Sequence, residues 1–211
     1  DRFANGAAVI VSGQQVGLFS GPAYTIYKAL HALKVVEELT AAGTPAVAVF
    51  WLATEDHDLA EIKHCVWPTH KGADHLELPS ESSVACRVGE ITFGQEIQSL
   101  VERATGALEG PGAEAIARAL RESYRVGETY GTAFGKLLAR IFAGRGLILI
   151  DPLSAELHRL AAPIYRAALD QQSDLAKELT ARGKALEQGG YHAQVKVGEQ
   201  NTLLFVSMDG E

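Results

Sequence analysis

The stretch AVIVSGQQVGLFSGPAY, residues 8–24, decides the fold. Its first five residues, Ala8–Ser12, are a continuous apolar run of strand length. Gly13–Pro22 is too rich in glycine for helix or strand and reads as a loop. Pro22 opens a helix, because the N–H that proline lacks would have no partner in a first helical turn. Ile26, Leu30, Leu33 and Val36 recur at helical spacing and predict the buried face. Gly43 and Pro45 stop the helix, and a second buried strand, Ala46–Ala53, follows. Strand, glycine loop, helix and strand in this order make a βαβ unit, whose crossover is right-handed and pairs its strands in parallel.

Beyond this unit the texture changes. His64–Trp67, His75–Leu78 and Ala85–Val88 read as short strands separated by Gly, Pro and Ser. Helical periodicity returns over 94–108, 112–125 and 129–143, and Leu147–Ile150 is a third buried strand ending in Asp151 and Pro152. The helical stretch 154–188 contains Pro163, which is expected to kink or divide it. Gln194–Val197 and Leu203–Val206 read as a hairpin around 198–201. The expected architecture is α/β: an open parallel sheet with helices on both faces and a small inserted α+β region. Residues 1–64 would form the first half of the core, 65–128 the insertion and 129–211 the second half.

The bulk numbers exclude several function classes. Nineteen basic residues against 26 acidic ones give a net charge of −7, which argues against nucleic acid as a partner. No run approaches the roughly 18 apolar residues of a membrane span. Cys65 and Cys86 lie far apart, with neither a metal-binding nor a disulfide pattern, and fit a reducing, cytoplasmic setting. The chain starts without Met or a signal-peptide pattern and ends on a strand-like run, so both ends are expected to be cuts.

In open α/β sheets, ligands bind beyond the carboxyl ends of the strands. Three segments leave such ends: Gly13–Gly21, Thr54–Asp58 and Asp151 with Pro152. In the first, Gly13, Gly17 and Gly21 would let a backbone approach a ligand, and a helix N-terminus after Pro22 attracts anions. The segment matches neither a Walker A loop nor GxGxxG. Tyr24, Lys28 and His31 share one helix face, which is either solvated or part of a pocket. Glu55, Asp56, His57 and Asp58 follow the second strand directly. They would contact substrate, cap a helix through Asp58 with Glu61 three residues on, or bind a metal, although neighbours in a row rarely point at one centre. Asp151 starts a helix or holds a hydroxyl or amine. Cys65 and Cys86 read as small buried apolar residues, not nucleophiles.

The segment SGQQVGLFSGPAYTIYKA, residues 12–29, resembles the signature of the bacillithiol biosynthesis cysteine-adding enzyme family. VFWLATEDHD, residues 49–58, looks like that family's second motif, and GLILIDP (146–152) and GYHAQ (190–194) are similar to later, less specific stretches. The resemblance spans nearly the whole chain in order. It implies a Rossmann-type core akin to class I aminoacyl-tRNA synthetases and a ligase reaction joining cysteine to the amino group of glucosaminyl malate. ATP, with Mg, is the implied cosubstrate. Those relatives carry an HxGH-type motif after strand one, whereas this chain has Gly13-Gln14-Gln15 and Gly21-Pro22 there. The resemblance makes Gly13–Pro22, with Ser20, the anion or nucleotide cradle. Gln14 and Gln15 would bond substrate, and Tyr24 and Lys28 would line the pocket. Glu55, Asp56 and Asp58 would hold an ammonium group, and His57 would act as base. The family also implies a C-terminal coiled coil and a homodimer formed through it, both beyond this chain. Without the resemblance, a nucleotidylyltransferase-like enzyme or a non-catalytic small-molecule binding module stays open.

Overall fold

The computed structural model describes residues 2–70, 72–79, 86–194, 197, 198, 202 and 204. They form two compact units, 1–153 and 154–211.

The first unit is built on a parallel sheet of β1 (Ala8–Gln15), β2 (Ala46–Ala53) and β5 (Leu147–Ile150), in the order β1-β2-β5. β1 and β2 pair without a break from Ala8 opposite Ala46 to Gln15 opposite Ala53. The first strand therefore runs three residues further than its composition suggests. Gly13 makes this possible: a Cβ there would stand 2.8 Å from the Trp51 carbonyl oxygen. Glycine here is the residue that lets two strands close up, so Gly13–Gln15 belong to the ladder. The helix α1 (Tyr24–Ala41) crosses from β1 to β2. Its buried residues are Thr25, Ala29, Ala32 and Leu33, whereas Leu30, expected inside, is 38% exposed.

Between β2 and β5 lie α2 (Leu59–Ile62), the antiparallel hairpin β3 (His64–Thr69) and β4 (Gly72–Glu77), then α3 (Glu96–Gly106), α4 (Ala113–Ser123) and α5 (Tyr130–Ile141). The three helices fall where periodicity predicts them. α5 opens with a reciprocal capping box between Thr129 and Thr132. The expected strand over Ala85–Val88 lies partly outside the described residues, and Val88–Glu90 is a 3-10 turn.

One core joins these elements. Ile10, Ala48, Phe50, Leu52, Leu147 and Leu149, alternate residues on one face of the sheet, pack with α1 and with Leu137 and Leu138 of α5. Phe50 and Phe134 are fully buried, each contributing about 1.5–3 kcal/mol by leaving water. On the opposite face Val9, Val11, Trp51 and Ile148 remain exposed. Among the described residues β1 pairs on one side only.

The second unit holds α6 (Ala155–Asp170) and α7 (Gln172–Gln188). Ser154 caps α6 by accepting from the Leu157 N–H. α6 continues through Pro163, and the break falls at Gln171 instead (φ −105°, ψ 17°). Pro163 is exposed, so water can satisfy the carbonyl that its ring leaves unbonded. The hairpin expected over 194–206 lies mostly outside the described residues. Among those described, no helix is long and apolar enough to cross a membrane.

Candidate functional site

The register of β1 on β2 brings the carboxyl ends of both strands, and with them the two longest motifs of the sequence, to one place. Gln15, the last residue of β1, donates through Nε2 to Asp56 Oδ2 at 2.8 Å and also to a Glu61 carboxylate oxygen. A single amide thus ties the glycine loop to the acidic segment. Asp56 accepts further at Oδ1 from the backbone N–H groups of His57 (2.7 Å) and Asp58 (3.2 Å). Partial burial opposes its ionisation. The Gln15 amide, the two backbone N–H groups and the nearby His57 ring outweigh that and hold its carboxyl below the ordinary value of 3.8.

A chain of contacts continues in the other direction. Gln14 Nε2 lies 3.2 Å from the Tyr24 hydroxyl, and Lys28 donates to Gln14 Oε1 at 2.8 Å and to the Gly13 carbonyl at 3.1 Å. The Lys28 ammonium sits 5.2 Å from the centre of the Tyr24 ring. Gln14 and Gln15 are themselves 3.4 Å apart, amide to amide. The result is a partly exposed network with an ammonium at one end and carboxylates at the other. His31, one turn further along α1, is exposed and outside it.

Other candidates occupy different positions. Asp58 caps α2, its side chain accepting from the Glu61 N–H at 3.3 Å. His57 is 80% exposed, with Nδ1 4.0 Å from Asp56 Oδ1. Glu55 is exposed beside them. Gly17 and Ser20 are buried, and the N–H groups of Gly17, Ser20 and Gly21 all bond carbonyls within the turn. These three N–H groups are therefore spent on the turn, the Thr25 and Ile26 N–H groups likewise bond the Pro22 and Ala23 carbonyls, and an anion at this end would meet Lys28. Pro22 is exposed just before α1. Cys65 is buried in the core, its thiol pushed up to about 11 chiefly by burial. Among the described residues no three His, Cys, Asp or Glu side chains converge as a metal site.

Asp151 takes a supporting position. Its Oδ1 accepts from Thr54 Oγ1 at 2.6 Å and from the Leu153 N–H at 3.0 Å, joining the ends of β2 and β5. Thr54 is fully buried, and Gly89 and Gly131 leave the space its side chain fills. Thr54→Val keeps the shape and removes the donor to a carboxylate. It should lower unfolding free energy by about 1.5–3 kcal/mol in urea titration. A change below about 0.5 kcal/mol would mean the tie carries little of the stability.

The family model for bacillithiol biosynthesis BshC, N-terminal Rossmann-like domain, matches residues 2–211. The chain belongs to the BshC family. Proteins named "Putative cysteine ligase BshC" are similar to it throughout. The one from Koribacter versatilis is 44% identical over all of this chain and 39% of its own length. That from Solibacter usitatus is 41% identical over 98% of the chain and 39% of its own length. A Bacillus cereus relative is 28% identical over 96% of the chain and 38% of its own length. The chain thus spans about two fifths of the length of the curated relatives it matches.

The Rossmann-like fold that the family name carries agrees with the parallel sheet and its crossover helix. Within this BshC domain the residue that sequence reasoning undervalued is Glu61, which read as a capping partner. Asp58 does cap the Glu61 N–H, but the Glu61 side chain turns to Gln15 instead of returning to the cap. The available signal was an acid one helical turn beyond Asp58, whose side chain is free to swing either way.

Proposed function

We propose that the site at the ends of β1 and β2 joins cysteine to the amino group of glucosaminyl malate, forming an amide bond in bacillithiol biosynthesis. The observation that carries this reading is the Gln15 amide, which unites both motifs into one group with opposite charge at its two ends. An amide ligase needs that polarity, since it must hold a carboxylate or phosphate near a cation and an amine near carboxylates. Lys28 suits the anion. Asp56 and Glu61 suit an ammonium group, with Glu55 and Asp58 adding negative potential around it.

The amine must lose a proton before it attacks the cysteine carboxyl. His57 is exposed at the acidic end, with Nδ1 4.0 Å from Asp56 Oδ1, and is the base in this reading. ATP supplies the activation of the carboxylate when bound. Its phosphates would lie toward Lys28, which has an ammonium within reach of the loop but no surrounding cradle of free N–H groups. Tyr24 flanks the same end through its ring and hydroxyl.

The experiment is mass spectrometry of a BshC protein of the relatives' full length, given cysteine and glucosaminyl malate with and without ATP. Product that depends on ATP supports the ligase reading in full. Product without ATP keeps the reaction but requires a pre-activated cysteine donor. No product with either sinks the reading. His57→Gln in the same protein is expected to reduce kcat at least about 100-fold, the usual range for a lost general base. Because the side chain is exposed, the thermal midpoint should stay within about 2 °C. Undiminished turnover would remove His57 from the role of base.

A further inference from the structure

A concavity of the first unit is lined by residues outside the amide network. It is a cleft of about 810 Å³ between α4, α5, β3 and the turn before α1. Phe19, Ser20 and Gly21 form part of its wall, so the turn that leads out of the polar site backs onto an apolar groove. Around the groove stand Val66, Ile116 and Ile141, which are 67%, 47% and 44% exposed. Trp67 forms a further wall and is anchored by its indole N–H to the Ala104 carbonyl. Large apolar side chains gathered around one groove mark a contact surface and not scattered surface residues.

The charges of the lining have one sign. Arg118 and Arg140 line the groove and no Asp or Glu does. Arg140 is held by Glu122 at 2.6 Å, while Arg118 has no hydrogen bond or ion pair among the described residues. In a chain with net charge −7, two guanidinium groups on an otherwise apolar groove call for an apolar occupant that brings an acid. The length of the relatives says where one is available. The matched part is their N-terminal domain and covers 39% of the Koribacter protein, leaving more than half of that polypeptide outside.

We infer that this groove is the seat of a segment from the polypeptide that follows the N-terminal domain in full-length BshC proteins. The segment presents apolar side chains to Val66, Ile116 and Ile141 and an Asp or Glu to Arg118. The contact fixes the back of the turn Phe19–Gly21, whose front side leads from Gln15 to α1. This inference rests on family membership and the groove alone, so it stands or falls apart from the ligase reaction.

Thiol accessibility in a protein of the relatives' full length tests it. With Cys86→Ser as background, a single cysteine is placed by Ile116→Cys, by Val66→Cys or, for reference, by Lys34→Cys on exposed α1. Cys65 reacts slowly, being buried with its thiol raised to about 11. Maleimide labelling of both groove cysteines is expected to be at least about tenfold slower than that of the reference, at every protein concentration. Adding Arg118→Glu should restore at least half of the lost rate. Labelling as fast as the reference overturns the inference. So does protection that appears only as protein concentration rises, which would make the occupant a second copy. Protection that appears only when an amphipathic anion such as anilinonaphthalene sulfonate is added would make it a ligand groove and overturn it too.

Discussion

Gly17→Ala is expected to be the most damaging single-methyl change in the domain, lowering unfolding free energy by about 3 kcal/mol or more. A Cβ on residue 17 would stand 2.1 Å from the Gly21 carbonyl oxygen, closer than any real contact. Neither side can give way. Val16 and Leu18 are completely buried, and a Cβ at Gly21 would itself meet Cys65 Cβ at 3.0 Å. The turn is already under tension, because Phe19 and Ser20 hold left-handed backbone conformations (φ 51° and 63°) that cost non-glycine residues roughly 1 kcal/mol each. Packing of the Phe19 ring edge-on against Tyr124 (4.8 Å) and Trp67 (5.7 Å) offsets that cost. Urea unfolding of Gly17→Ala against wild type is the measurement. A loss under about 1 kcal/mol would show that the turn relaxes far more readily than its packing implies.

The second large effect is chemical. Gln15→Leu keeps approximate volume and removes both donors of the bridge. In a full-length BshC protein we expect kcat to fall at least about 100-fold with a smaller change in KM, since the loss is one of alignment. The independent readout is the Asp56 carboxyl, followed by NMR titration. Burial works against its charge, and the first group opposing burial is the Gln15 amide, so its midpoint should move upward in the variant. The sign for stability follows. A carboxyl whose folded pKa is depressed stabilises the fold above its ordinary value of 3.8 and loses that contribution as pH falls through the folded pKa. Wild type should therefore exceed Gln15→Leu in stability near neutrality and converge toward it in acid. An unmoved Asp56 midpoint would sink the bridge itself. A moved midpoint with full turnover would spare the bridge and sink its place in the reaction.

The path of the chain was readable wherever burial and period coincide. β2 is an uninterrupted apolar run, and α3, α4 and α5 carry clear helical stripes, so their positions follow from the residues. β1 reads short from the sequence because glycine and glutamine are poor strand residues on their own. Its last three residues are set by pairing with Trp51–Ala53, a tertiary fact. Pro163 misled for the complementary reason: local propensity says break, but an exposed helix face tolerates the missing bond. That the carboxyl ends of β1 and β2 meet is legible in the sequence, because parallel pairing alone brings them together. Which amide meets which acid depends on side-chain torsions, and no spacing rule contains those. From spacing alone Glu61 reads as one half of a possible cap and Gln15 as a substrate contact, and the amide that joins them is visible only in the fold.

The one-sided pairing of β1 has a consequence for handling the domain in isolation. A strand that among the described residues leaves one row of N–H and C=O groups unpaired, bearing exposed Val9 and Val11 and no lysine, proline or bulge to blunt it, is a template for the strands of other molecules. Concentrated solutions of the 211-residue chain would therefore tend toward edge-to-edge aggregation. A charged residue in place of Val11 would act as a gatekeeper without touching the packed face of the sheet.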